Sequence, residues 1–314
     1  MKVLIICSHR EYAPYTNNVA PFIYEQMQGL TKLGCEFRIC FVQGGGVKSY
    51  IQAWRRMCKY IEEYQPNIIH AHYGLCCMIA NLQRKVPVIS TYHGSDINNA
   101  KIRWISKIAI RGSKMNVFVS EKLRSIAGNP SISLVIPCGV DVKEFYPMDK
   151  INCREQMGLE KDKIYILFSK AFTVPVKNYP LAKAAVELLI KRGMNVELLE
   201  LKGYTRSQVV QLMNACDCAL MTSFNEGSPQ FVKEALACNC PIVSTDVGDV
   251  KEQISGLKNC YITSFEPLDV AEKIKNCINN YTDIPLGRKR VLERYNNQEI
   301  INKIFEIYNK LCKG

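Results

Sequence analysis

Short apolar runs alternate with helical rhythms along the first half of the chain. Val3–Cys7 is an uninterrupted apolar run. Phe22, Ile23, Met27, Leu30 and Leu33 then follow a helical period that stops at Gly34. Cys35–Val42 reads as a second strand, closed by Gly44-Gly45-Gly46, and Tyr50–Tyr64 as a helix ending before Pro66. Asn67–His72 and Val86–His93 predict two more strands, and Val117–Val119 and Leu134–Ile136 two short ones. The pattern restarts at Lys163–Phe168 and continues through strands at Asn195–Leu201, Cys218–Thr222 and Ile242–Thr245. Helices are predicted over Tyr179–Arg192, Ser207–Cys216 and Pro229–Cys238, then from Asp249, over Leu268–Asn279 and over Ile300–Leu311. Strands that are apolar throughout and alternate with helices imply parallel sheets covered on both faces. The expectation is an α/β chain of two Rossmann-like doubly wound halves, with a boundary near Pro147–Gly158. The assigned domains are 1–148, 149–295 and a terminal helix over 296–314.

Composition narrows the class. The chain has 314 residues, of which 47% are hydrophobic and 22% charged, as in ordinary globular proteins. Its 15 cysteines include no C-x-x-C pair and fall mostly inside apolar runs, where a thiol behaves as a small hydrophobe. So many free thiols suit a reducing compartment. The apolar run after Lys2 is too short for an export signal, and no stretch approaches a membrane span. The expected location is cytoplasmic, with room for a peripheral association at the inner membrane face. Net charge is +12 and uneven: residues 1–148 carry 18 Lys and Arg against 9 Asp and Glu, and the remainder 23 against 20. Lys101–Arg124 holds seven cations and one acid, Glu121. Such a field draws anionic partners.

The candidate chemistry lies at predicted carboxyl ends of strands, the edge where open α/β sheets bind ligands. All four histidines, His9, His70, His72 and His93, lie there in the first half. His93 is the strongest functional candidate, beside Gly94, which lets backbone approach a ligand. His70-x-His72 with His93 and Asp96 also admits a metal site. In the second half, Glu226-Gly227-Ser228-Pro229 precedes a helix that carries Glu234. Ser228 is predicted to cap it and Pro229 to open it, which leaves an amide-rich helix start suited to phosphate. A ribose beyond that phosphate would fall within reach of Glu234, whose carboxylate accepts two hydroxyl hydrogen bonds. Lys170 and Lys177, after the first strand of this half, offer countercharge. No G-x-G-x-x-G precedes a helix, which argues against a nicotinamide or flavin enzyme.

Together these residues resemble the family 4 glycosyltransferases, which have the GT-B fold of two Rossmann-like domains facing across a cleft. The resemblance rests on Glu226-Gly227-Ser228-Pro229 with Lys233-Glu234-Ala235, on Asp246-Val247-Gly248-Asp249, and on Pro175-Val176-Lys177-Asn178. His70-Ala71-His72-Tyr73-Gly74, Thr91–Asp96 and Ile136–Asp141 add to it. It implies retaining, metal-independent transfer of a hexose-type sugar from a UDP- or GDP-sugar, with no cofactor. The acceptor would be a glycan or lipid-linked molecule in cell-surface polysaccharide or glycolipid synthesis. It also implies roles: Glu234 at the donor ribose, Lys177 and Lys170 at the diphosphate, and Glu226 with Gly227, Ser228 and Pro229 at the sugar. His93 would sit beside that sugar, Asn17, Asn18 and His72 on the acceptor side, and the last helix against the first domain. The partners would be donor, acceptor and an anionic membrane surface reached through the basic first half, with no nucleic acid. Three departures stand out: Tyr15–Val19 lacks the family's glycine pair, Lys170 lies seven positions ahead of Lys177, and Cys138 replaces an asparagine. The residues leave two other classes open, a metal-dependent hydrolase at His70, His72 and His93, and a non-catalytic basic protein that docks on membranes.

Overall fold

A computed structural model describes residues 1–9, 18–279 and 286–313, without the side chain of Leu286. The chain forms two compact units, Met1–Gly139 with Asn297–Gly314, and Val140–Asn296. The first holds strands β1 (Lys2–Ser8), β2 (Glu36–Val42), β3 (Ile68–His72), β4 (Val88–Tyr92), β5 (Met115–Phe118) and β6 (Ser133–Val135). The second holds β7 (Ile164–Phe168), β8 (Val196–Glu200), β9 (Cys218–Met221), β10 (Ile242–Thr245) and β11 (Tyr261–Thr263). The sheet orders are β2-β1-β3-β4-β5-β6 and β11-β10-β9-β7-β8, and all strand pairs are parallel. Every residue of β3, β4, β9 and β10 is buried, as expected of strands covered on both faces.

Both sheets reverse direction of winding beside their first strand. The switch points lie between β1 and β3 in one unit and between β7 and β9 in the other. Loops leaving the carboxyl ends of such strand pairs diverge to opposite faces and leave a crevice. His72 ends β3, Lys170 follows β7, and the segment containing Glu226 follows β9, so topology brings the candidates to these edges.

The helix Asn297–Lys313 covers one face of the first sheet. Its Ile300, Ile301, Ile304, Ile307 and Tyr308 are buried with Val3, Ile5, Ile68, Ile89 and Val117. It packs against the helix Pro21–Lys32 at Gly29, where a Cβ would stand 2.0 Å from the Ile301 side chain, so a larger residue would force that side chain to move. The other face is covered by helices that include Val47–Tyr64, Gly74–Asn81 and Ala100–Gly112.

Two local expectations change. The helix after β9 runs Gln230–Ala237, with Pro229 rather than Ser228 in the cap position. The Ser228 hydroxyl instead donates to Asp249 Oδ2 at 2.8 Å. Asp249, in turn, precedes a five-residue helix, Val250–Ile254, without capping it. A tertiary hydrogen bond between the two loops has replaced two local caps.

Candidate active site

The site in the second unit is assembled from the loops after β7, β9 and β10. Thr222 Oγ1 donates to the carbonyls of Lys177 and Asn178 at 2.9 and 3.0 Å, and Phe224 N donates to Val176 O at 2.9 Å. These bonds fasten the turn Pro175–Lys177 to the segment that carries Glu226. Thr245 Oγ1 donates to Ser223 O at 2.7 Å and ties in the end of β10. Gly248 has φ +56°, and a Cβ there would lie 2.6 Å from the Gly227 carbonyl oxygen, so the third loop fits beneath Gly227 only as glycine.

Within this frame two ion pairs form. Lys177 Nζ donates to Glu226 Oε1 at 2.5 Å, with both side chains mostly buried. Arg206 Nη1 donates to Glu234 Oε1 at 2.7 Å, and its Nε donates to Glu144 Oε2 at 3.1 Å. The Arg206 guanidinium also lies 4.4 Å from the centroid of the Phe145 ring. Glu234 is buried, in the fifth position of the helix Gln230–Ala237, about 6 Å along the axis from its first residue. One of its carboxylate oxygens meets Arg206, and the group keeps further acceptor capacity. Arg206 escapes sequence reasoning because it precedes Glu234 by 28 residues and meets it only through the fold.

Beneath the helix start lies a second buried network. Lys233 is fully buried, donates to Gln230 Oε1 at 3.0 Å and stands 5.2 Å from the Tyr295 ring centroid. Asp249 accepts from Ser228 and from Gln253 Nε2 at 2.6 Å. Burial raises the Asp249 carboxyl above its ordinary range, against the opposing pull of Lys233. The hydroxyls of Ser169 and Ser223, just beyond β7 and β9, are buried with no partner among the described residues. Lys170 is exposed. The ensemble offers cations, a helix start and an orphan hydroxyl on either side of the switch point, a donor-rich surface suited to an oxyanion.

In the first unit His70, His72 and His93 form a continuous stack, while His9 packs edge-on against Phe41. His70 hydrogen-bonds Tyr308 OH through Nδ1 and Thr91 Oγ1 through Nε2, each at 2.7 Å. Burial lowers its pKa to about 3, so it is neutral. Its ring lies 4.3 Å from that of His72. His72 Nδ1 hydrogen-bonds His93 Nε2 at 3.1 Å, while its Nε2 is buried without a partner among the described residues. Burial, and then the neighbouring His70 and His93, drive the His72 pKa well below the usual imidazole value. His93 alone of the three is half-exposed, held between the rings of Phe22 and Tyr73. The buried Asp96 carboxylate orders its loop, accepting from the amides of Gly94, His93 and Gly74 at 2.8 to 3.2 Å.

This arrangement revises two expectations. His72, expected on the acceptor side, is fully buried and hydrogen-bonds His93, so it meets solvent nowhere itself. Both ring nitrogens of His70 are committed within the fold. Among the described residues no group of three or more His, Cys, Asp or Glu is placed to hold a metal ion. Asn18 is exposed with φ 63°, and Asn17 lies outside the described residues.

Comparison with known proteins bears on both units. The sequence profile Glycosyltransferase Family 4 matches residues 38–144, and that of Glycosyl transferases group 1 matches residues 170–280. The chain belongs to the family 4 glycosyltransferases. The second match contains Lys170, Lys177 and the whole Glu226–Glu234 segment of this glycosyltransferase. It is 27% identical over 254 residues to an uncharacterized glycosyltransferase of Methanocaldococcus jannaschii, covering 75% of this chain and 72% of that one. Its fold is GT-B. The sucrose-phosphate synthase of Thermosynechococcus elongatus superposes with a TM-score of 0.81 at 16% identity, over 99% of both chains. Anabaena HepE in complex with UDP-glucose superposes with a TM-score of 0.75 at 15% identity, over 99% of this glycosyltransferase and 100% of that chain.

Proposed function

We propose that the protein transfers a hexose, with retention of anomeric configuration and without a metal, from a nucleoside diphosphate sugar to a glycan or lipid-linked acceptor. The observation that carries this reading is the pairing of Lys177 with Glu226 and of Arg206 with Glu234 around one helix start. UDP is the favoured nucleotide, because a UDP-glucose complex is known for a protein of the same fold. GDP is the alternative to be tested beside it. The product would enter cell-surface polysaccharide or glycolipid synthesis, in the cytoplasm.

In this reading Glu234 accepts hydrogen bonds from the ribose diol, and Lys177 with Lys170 meets the diphosphate. Glu226 and the backbone over Gly227–Pro229 contact the sugar. His93 is assigned to the sugar by its motif, with His72 behind it. In the transfer the anomeric C–O bond to the diphosphate breaks and its electron pair leaves on the phosphate oxygen. The acceptor hydroxyl oxygen forms the new bond, and the departing phosphate takes its proton. Fixed cations and a helix start favour the negative charge as it develops. A hydrolase at the histidines is disfavoured by the committed nitrogens of His70.

Thermal-shift titration with UDP, GDP, ADP and their common sugars tests the donor site, because a ligand that binds only the folded chain raises the melting temperature. A shift with one nucleotide that disappears in Glu234→Ala is expected; no shift with any nucleotide overturns the reading. Product anomer analysis by NMR tests retention, and activity after exhaustive chelation tests metal independence.

A further inference from the structure

Two ring nitrogens of the histidine stack face each other, and only one of them can carry a proton. His72 Nδ1 and His93 Nε2 stand 3.1 Å apart. Burial keeps His72 neutral, so it has a single ring proton to place. If His93 Nε2 were the donor, in a neutral or a cationic ring, His72 Nδ1 would have to accept. The His72 proton would then sit on its Nε2, which is buried and meets no acceptor among the described residues. The stacked His70 cannot supply one, because its nitrogens are bonded to Tyr308 and Thr91. Buried N–H groups are seldom left unpaired, and an unused acceptor is the commoner case. The other arrangement puts the proton on His72 Nδ1, which donates to His93 Nε2 and leaves only a lone pair at the dry position. His93 then bears its own proton on Nδ1.

The surroundings hold both rings in place for this exchange. The His72 ring lies within 26° of parallel to those of His70 and His93. The rings of Phe22 and Tyr73 lie 4.7 and 4.8 Å from that of His93. Asp96, the acid of the same loop, is occupied with the backbone amides of His93, Gly94 and Gly74. His93 Nδ1 lies 3.9 Å from Cys138 Sγ. Sulfur is a weak acceptor, so a sugar hydroxyl competes readily for the Nδ1 proton. We propose that His72 is a positioning residue that holds His93 as its Nδ1–H tautomer, so that His93 meets the donor sugar as a hydrogen-bond donor and not as a base. The sugar contact rests on the function proposed above; the tautomer rests on the first unit alone. In that function the departing phosphate takes the acceptor proton, so no second base is required.

The test is long-range proton–nitrogen correlation NMR on the full chain, isotopically labelled at its histidine nitrogens, at about pH 8, above the ordinary imidazole range. The chain has four histidines, and loss of signal in His9→Gln, His70→Asn and His93→Gln assigns them. Protonated nitrogens are expected at Nδ1 of both His72 and His93, and bare ones at Nε2 of both. A proton on Nε2 of either residue in the wild-type chain overturns the proposal. In water an imidazole favours its Nε2–H form, so His72→Leu should let His93 change to that tautomer. A folded His72→Leu protein in which His93 keeps its proton on Nδ1 shows that His72 does not set it. Calorimetry with UDP and UDP-glucose tests the sugar contact. His72→Leu should bind UDP as the wild type does and UDP-glucose roughly two- to tenfold more weakly. UDP-glucose, and not UDP, should perturb the His93 Nδ1–H signal of the wild type. Equal effects of the two ligands remove the sugar contact. If His72→Leu does not fold, the wild-type spectra with and without UDP-glucose decide both points. A wild-type chain that binds neither ligand overturns the donor reading, while its spectra still decide the tautomer.

Discussion

Single residues set the electrostatics of the proposed donor site. Arg206 holds Glu234 and Glu144 together and rests on the Phe145 ring, so removing it leaves a buried carboxylate without its strongest partner. Hydrogen bonds to charged groups contribute about 1.5–3 kcal/mol, so Arg206→Met should weaken nucleotide binding roughly tenfold to a hundredfold by calorimetry. Arg206→Lys restores the charge but not the forked geometry and should recover little of the loss. If Glu234→Gln abolishes binding while Arg206→Met leaves it unchanged, the ribose role survives and the positioning role of Arg206 fails. His70 makes a second prediction. Its pKa falls from 6.5 to about 3 on folding through burial, so below pH 6.5 the unfolded chain takes up a proton that the folded chain excludes. The stability it contributes is complete above about pH 6.5 and is lost as pH falls toward 3. Urea unfolding between pH 4 and 7.5 should show a shallower pH slope in His70→Asn than in the wild type.

At the scale of elements, the site depends on loops that touch without side chains. Gly248→Ala would place a methyl group 2.6 Å from the Gly227 carbonyl and hold a non-glycine residue at positive φ. A lower melting temperature and weaker donor binding are expected together, since the displaced loop is the one bearing Glu226. Unchanged binding in a folded Gly248→Ala protein would contradict the link. The strands were the most legible elements. Val3–Cys7, Cys218–Thr222 and Ile242–Thr245 lie within a residue of β1, β9 and β10, because strands buried on both faces leave unbroken apolar runs. The helix Gly74–Asn81 was invisible for the same reason: a short stretch that is apolar up to its last residue has no polar face to reveal its period. The helix Ala100–Gly112 announced only its charge. Ser228 carried the local signature of a cap, and a carboxylate 21 residues later claimed its hydroxyl. Local propensity yields to tertiary partners at such places.

The whole molecule is a chain that leaves one unit, builds another and returns. The first unit is discontinuous, and the helix Asn297–Lys313 covers a face of its sheet. Removing everything after Asn296 uncovers Val3, Ile5, Ile68, Ile89 and Val117 and deletes the Tyr308–His70 hydrogen bond. Each buried isoleucine lost from the helix contributes about 1.5–3 kcal/mol. The truncated protein should therefore lose the melting transition of the first unit and aggregate on scanning calorimetry, while 140–296 retains its own transition. A truncated chain that kept both transitions would show the helix to be dispensable. No helix among the described residues is long and apolar enough to cross a membrane.

That return has a consequence in time. Tyr308 and His70 are joined across 238 positions of sequence, so the first unit cannot close when its own strands have been made. A ribosome adding about 5–20 residues per second needs on the order of ten to thirty seconds to travel from Gly139 to Asn297. During that wait the second unit, a continuous segment, can fold ahead of the first. The first sheet meanwhile lacks the helix that buries Val3, Ile5, Ile68, Ile89 and Val117. Pulse-proteolysis of stalled nascent chains would find the later-synthesised unit protected before the earlier one.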